Sequence, residues 1–247
     1  MEKKTQNPSE GVRINLFLSK AGVCSRREAD RLIESGRVRI DGIPAKSGMR
    51  VRDGQKVTLD GKNIRAEQED VILAVNKPVG YVCTTDRKWG DPLIGDLVKW
   101  PGRVFPAGRL DKDSEGLILM TNQGELAHRM MKASFGHEKE YVVTIDRPVT
   151  EAFLDAMGRG VFLKELGVRT RPCVVRKSGP FEFHIILTQG LNRQIRRMCR
   201  ENGCRVKKLV RIRIMNVWLG DLKEGSFREL SAQEKRELLL ACGMRDG

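Results

Sequence analysis

The 247-residue chain carries 46 lysines and arginines against 32 aspartates and glutamates, a formal charge of +14, and 40% of its residues are hydrophobic. This length allows one large domain, or a small domain joined to a larger one, and the charge excess calls for a polyanionic partner (RNA, DNA or an anionic membrane surface) without specifying a fold. The opening residues MEKKTQNPSEGVR lack the apolar core of a signal peptide, and no run of about eighteen apolar residues occurs, which argues against a helical membrane span and predicts a soluble cytoplasmic protein.

Residues 1–12 read as a polar tail. The first predicted helix is INLFLSKAG, ending at Gly22. A second follows over 26–35: Ser25 and Glu28 form a capping box, Ala29, Leu32 and Ile33 repeat at helical spacing, and Gly36 supplies the stop. That apolar stripe must face a core, so Arg26, Arg27 and the stretch from Asp30 to Arg31 lie on or near the outer surface. In RVRIDG, Val38 and Ile40 alternate with Arg37 and Arg39, and the strand ends in the Asp41–Gly42 turn. Two turns of the same type, Asp53–Gly54 and Asp60–Gly61, bracket the strand QKVTL.

Arg13 to Arg65 holds 13 basic and 6 acidic residues. A basic run is often only a solvated face. Here, however, the arginines sit on two short helices and a set of hairpins. RINLFLSKAGVCSRREADRLIESGRVRIDG resembles the S4 RNA-binding domain over residues 13–62, and the resemblance implies RNA binding by this segment, with Arg26 and Arg27 among its contacts. Residues 63–70, polar and aperiodic, read as a linker.

From Val71 to residue 243 the texture is that of a larger domain. VILAVNKPVGYVCT reads as a buried strand broken at Lys77, Pro78 and Gly80; GLILM, YVVTI (141–145) and FEFHIILT (181–188) read as further strands. Helices are predicted in ELAHRMM, capped by Asn122 with Glu125, in EAFLDAM from Thr150, and over 192–202 opened by Asn192. In the last of these Ile195, Met198 and Cys199 share an apolar face, Arg193, Arg197 and Arg200 point the opposite way, and Arg196 falls on the seam. The mixture without strict alternation predicts an α+β fold with a mixed, largely antiparallel sheet. Ile185 to Met215 adds 9 basic residues against 1 acidic. The six cysteines contain no pair two residues apart and only three histidines accompany them, so they read as reduced and mostly buried, with no zinc.

The motifs NKPVGY, FPAGRLDKDSEGLILMTNQGELAHRM, KEYVV and LTQGLNRQIRRMC, in this order, resemble the bacterial ribosomal RNA pseudouridine synthases of the RsuA and RluF type. With the S4 segment the resemblance runs from Arg13 to Leu230. The last motif and RIRIMNV stand closest to the RluF branch, which implies a 23S rRNA stem-loop as substrate. Met120 and Gln123 depart from the commoner leucine and aspartate.

The resemblance implies that Asp111 of GRLD is the catalytic nucleophile or base, that Arg109 takes the place of a flipped base, that Tyr141 stacks on the uracil, and that Arg196 is the basic partner. A carboxylate beside an apolar strand is poorly solvated and needs a nearby cation to stay ionised, for which Arg196 is the candidate. Lys77, Arg193 and Arg197 are candidate RNA contacts. Each has a plainer reading: Asp111 as a turn former, Tyr141 as a core filler, Arg196 as a phosphate ligand, and Lys77 as an ordinary strand-end lysine. The chemistry implies no cofactor and no metal; the expected partner is ribosomal RNA, 23S or alternatively 16S, with no membrane partner, and the expected state is a monomer. The competing function is a non-catalytic RNA-binding or ribosome-assembly protein, which would not require Arg109, Asp111, Tyr141 and Arg196 together.

Overall fold

A computed structural model describes residues 11–65, 69–87, 90–132 and 136–244. They fall into two compact units. The described residues up to Asp70, with Trp100–Val104, form the first; Val71–Lys99 and the chain from Phe105 onward form the second.

In the first unit β1 (Val12–Arg13) pairs with β4 (Arg50–Val51), and helices α1 (Ile14–Lys20) and α2 (Arg26–Glu34) follow β1. A four-stranded antiparallel sheet runs β3 (Ile43–Pro44), β2 (Val38–Ile40), β5 (Val57–Leu59), β6 (Lys62–Ile64). The core is Ile14 and Leu18 of α1, Ala29, Leu32 and Ile33 of α2, and Val38, Ile40, Val51 and Val57 from the strands, leaving Arg26 and Arg27 exposed as expected.

Three sequence expectations are corrected here. The capping box is half made: Ser25 Oγ accepts the Glu28 N–H at 3.2 Å, but the Glu28 carboxylate accepts from Arg31 Nη1 at 3.1 Å. Asp41–Gly42 and Asp60–Gly61 each have two consecutive positive φ values, 50° and 80°, 50° and 78°, as two-residue hairpin turns require; at Asp53–Gly54 only the glycine does, and β4 and β5 are not partners. Finally, β1 extends into the expected tail, and β6 occupies the start of the expected linker, because Ile64 registers opposite Val57. The rest of the tail call, up to residue 10, and the linker call at 66–68 lie outside the described residues.

The second unit is built on a nine-stranded sheet. Its path is β13 (Val174–Gly179), β14 (Glu182–Leu187), β10 (Lys139–Ile145), β15 (Val206–Ile214), β9 (Glu115–Thr121), β7 (Ile72–Lys77), β17 (Phe227–Glu229), with β8 (Phe105–Pro106) on β9 and β16 (Val217–Trp218) on β15. β15 and β9 run parallel, through Val210 with Glu115 and Arg211 with Gly116; the other pairs are antiparallel. The fold is α+β with a mixed, largely antiparallel sheet.

Two cores pack against the sheet. One packs Met157 of α4 (Glu151–Gly158) and Ile195, Met198 and Cys199 of α5 (Gln194–Glu201) against Val143, Phe183, Ile185 and Leu209; there Phe153 meets Phe183 edge to face at 5.2 Å. The other packs Leu126, Ala127 and Met130 of α3 (Gly124–Met131) and Leu238 and Leu239 of α6 (Ala232–Ala241) against Ile72, Ala74, Leu117 and Leu119. Each fully buried large apolar side chain contributes about 1.5–3 kcal/mol, so the sheet is clamped along its length. A small hairpin, β11 (Phe162–Leu163) with β12 (Val168–Arg169), contacts α5.

Two caps differ from expectation. Thr150 caps α4 as predicted, accepting from the Phe153 N–H at 3.2 Å. Asn122 does not cap α3: its Oδ1 accepts the Val71 N–H at 3.1 Å, and the helix begins after Gln123. Likewise α5 starts two residues after Asn192, from Arg193 held at φ 51°. Among the described residues no helix is long and apolar enough to cross a membrane.

Candidate active site

The segment from Gly108 to Ser114 joins β8 to β9. It is pinned from three sides: the Ala107 N–H donates to Leu119 O at 2.8 Å, Gly80 N–H to Lys112 O at 2.8 Å, and Ser114 N–H to Asp111 O at 3.1 Å. Asp111 therefore does act as a turn former through its backbone, which leaves its carboxylate available.

Lys77 lies underneath this loop. Its side chain is fully buried, and its Nζ donates to Pro78 O at 2.8 Å and Ser114 O at 2.6 Å, with Lys112 O at 3.4 Å. Burial pulls the Lys77 ammonium below the ordinary lysine value, opposed by Cys83, Asp113 and Asp111. Of the two readings the sequence left open for Lys77, a fully buried amine bonded to loop carbonyls fits the structural one: it ties the end of β7 to the loop that presents Asp111.

Arg211 does related work from the other side. It is buried on β15, donates from Nε to Leu117 O at 2.6 Å and from Nη1 to Arg109 O at 3.3 Å, and its guanidinium carbon lies 6.0 Å from the Tyr141 ring centroid. Tyr141 stands on β10 opposite Ile185 and Arg211. Gly116 makes this arrangement possible: at φ 103° a Cβ there would come within 2.4 Å of Arg211 O, so only glycine admits the close approach of β15.

Arg109, Leu110, Asp111 and Tyr141 line one cleft of about 340 Å³, closed by Gln189–Arg196 and by Leu187 and Leu209. Arg109 is exposed and Asp111 half-buried, its side chain 36% accessible. This is wetter than a carboxylate beside an apolar strand was expected to be: Asp111 lies in the loop, four residues before β9 begins at Glu115.

The cations around the loop are arranged differently from the sequence expectation. Arg193 Nη1 and Nη2 donate to Asp113 Oδ1 and Oδ2 at 3.0 and 2.7 Å, and Nη1 stands 3.9 Å from Asp111 Oδ2. Arg196, the expected partner of Asp111, donates from Nη2 to Asp113 O at 2.7 Å and Ser114 Oγ at 3.1 Å, with its Nε 3.4 Å from Asp113 Oδ2. Asp113, which the sequence reading passed over, thus gathers both arginines. The Arg193 hydrogen bonds, helped by the Arg196 charge and opposed by burial, hold the Asp113 carboxyl below the usual carboxylate range. Arg197 is directed away: its Nε and Nη2 donate to Asn192 O and Oδ1 at 3.0 and 3.1 Å.

A charged loop, an aromatic face and convergent guanidiniums suit a polyanion whose reactive part is a planar ring. Comparison with known proteins names the class. An RNA pseudouridylate synthase profile matches residues 71–201, and an S4 domain profile matches residues 12–57. The dual-specificity RNA pseudouridine synthase RluF of Escherichia coli is 49% identical over 233 residues, spanning 94% of this chain and 79% of that protein.

The chain is an RNA pseudouridine synthase of the RluF type.

A synthase called uncharacterized from Aquifex aeolicus is 36% identical across 95% of this chain and 96% of its own length. A solved pseudouridylate synthase superposes with a TM-score of 0.68 at 29% identity, covering 92% of this chain and all, 100%, of that one. Among the described residues of the synthase, no group of three or more His, Cys, Asp or Glu side chains could hold a metal ion.

Proposed function

We propose that the synthase isomerises a uridine in a 23S rRNA stem-loop, with Asp111 as the attacking group on a nucleotide turned out of its stack. The observation that carries this reading is the single cleft shared by Arg109, Asp111, Tyr141, Arg193 and Arg196. In the reaction the N1–C1′ bond of the nucleoside breaks, the uracil is re-presented, a C5–C1′ bond forms, N1 gains a proton and C5 loses one. No electrons are exchanged with an outside partner. A carboxylate can serve as nucleophile or base at the sugar or the ring.

Extruding the base costs a few kcal/mol. Tyr141 offsets part of that by stacking, worth about 1–3 kcal/mol per base, while exposed Arg109 fills the vacated place and Arg193, held by Asp113, stands 3.9 Å from the Asp111 carboxylate. In this reading the segment 13–62 grips the RNA through exposed side chains such as Arg26 and Arg27, residues 71–243 hold the chemistry, and the synthase works as a cytoplasmic monomer without a cofactor. The likeness to the RluF branch supports 23S over 16S rRNA.

The test uses 23S and 16S rRNA transcripts carrying tritium at uracil C5. Release from 23S alone, mapping to one stem-loop position, is the expected result; release from 16S alone sinks the substrate assignment.

A further inference from the structure

We propose a second RNA-binding groove between α5 and the β11–β12 hairpin, in which Glu165 occupies the place of a backbone phosphate until RNA displaces it. The inference rests on the reading that this synthase acts on rRNA.

Glu165 lies in the tight turn Lys164–Leu166 between β11 and β12. One of its carboxylate oxygens pairs with Arg197 Nη1 and the other with Arg200 Nη2. Two guanidiniums thus each meet one oxygen of the same anion, and the two non-bridging oxygens of a phosphodiester present the same acceptor pair. Arg197 is set for this in advance, because Asn192 holds its Nε and Nη2 and directs Nη1 toward Glu165.

The carboxylate is easily displaced. Glu165 and Arg200 side chains are 49% and 54% exposed, and an ion pair at such exposure contributes little to stability; Arg197, 17% exposed, stays in place as the fixed half of the anion site. The turn has other anchors: Leu163 is buried, β11 pairs with β12, and the Gly167 N–H donates to Leu163 O at 3.0 Å.

The surroundings fit a backbone track. Among the described residues, Glu165 is the lone acidic side chain lining a groove of about 440 Å³ with Arg193, Arg196, Arg197, Arg200 and Arg205. Arg193 and Arg196 also line the cleft at Asp111, so a strand that inserts a nucleotide there is continued by its flanking phosphates into the arginine groove. Phosphate contacts of this kind fix register without reading sequence.

The experiment measures equilibrium binding of the full chain to an unmodified 23S rRNA transcript between 50 and 200 mM KCl. It compares the native protein with Glu165→Gln, Arg200→Gln and a charge control, Glu237→Gln, exposed on α6 over the other core. Arg200→Gln is expected to weaken binding about five- to tenfold and to lower the slope of log affinity against log salt by about 1. Glu165→Gln is expected to tighten binding several-fold beyond Glu237→Gln. Unchanged affinity and slope for Arg200→Gln, or a Glu165→Gln gain no larger than the control's, overturns the groove. Tritium release by the native chain is followed in parallel: release without these binding effects removes the groove and spares the rRNA reading, whereas binding effects without release keep the groove and remove that reading.

Discussion

Arg193 clasps Asp113 through both terminal nitrogens, at 3.0 and 2.7 Å, while one of them stands 3.9 Å from Asp111. Among the described residues, the guanidinium nearest the proposed nucleophile is therefore held by a different acid. Asp113 is a positioning residue: it fixes Arg193 and, with its own carbonyl, Arg196.

Asp113→Asn is expected to lower turnover by up to about a hundredfold, the cost of misplacing a positioning group by about 1 Å, with a smaller change in RNA affinity. Its pH dependence has a definite sign. The folded-state pKa of Asp113 is depressed, so its ion pairs stabilise the protein above the unfolded value near 3.9 and that stabilisation is lost as pH falls through the depressed value. The side chain is 45% exposed, which keeps the effect under about 1 kcal/mol. Denaturation of native and Asp113→Asn protein from pH 7 to pH 2 checks it: the difference must be constant at the upper end and vanish at the lower.

Lys77→Met keeps the volume and removes the donor to Pro78 O and Ser114 O. Leaving buried carbonyls unmet costs about 1–3 kcal/mol. Thermal melting is expected to shift down and turnover to drop, with RNA affinity within about twofold of native. Normal melting with a large loss of affinity would return Lys77 to the RNA interface.

Gly116→Ala sets a methyl against Arg211 O at a backbone angle unfavourable to alanine. The cost is above about 2 kcal/mol, and because Arg211 supports Arg109 O, turnover falls with stability. A variant that melts and turns over like native protein contradicts this account of the β9–β15 approach.

The helices and two of the hairpins of the first unit were legible because local signals agree: Ser25 caps, α2 has a clean apolar stripe, and the Asp41–Gly42 and Asp60–Gly61 turns demand positive φ. In the second unit the strands with strong apolar runs were legible, while β15 was not, since VKKLVRIRI carries four basic residues among its nine. The available signal was period-two alternation, which puts Arg211 on the inward side with Leu209. The final helix α6, opened by a full capping box at Ser231 and Glu234, also carried a readable signal. Motif order singled out Asp111, Arg109 and Tyr141, which share one cleft. Which acid each arginine meets is decided by the loop path and by Arg193 at positive φ, neither visible in residue spacing; nor could strand-end Lys77 be seen to be buried before β7 and the loop were brought together.

The central claim is that the Asp111 carboxylate performs the chemistry. Its most direct test is tritium release from C5-labelled 23S rRNA by Asp111→Asn at saturating enzyme in a single turnover, with RNA affinity measured on the same sample. The expected result is RNA bound with near-native affinity and release reduced to background. Release at the native rate would show that the isomerisation proceeds without this carboxylate.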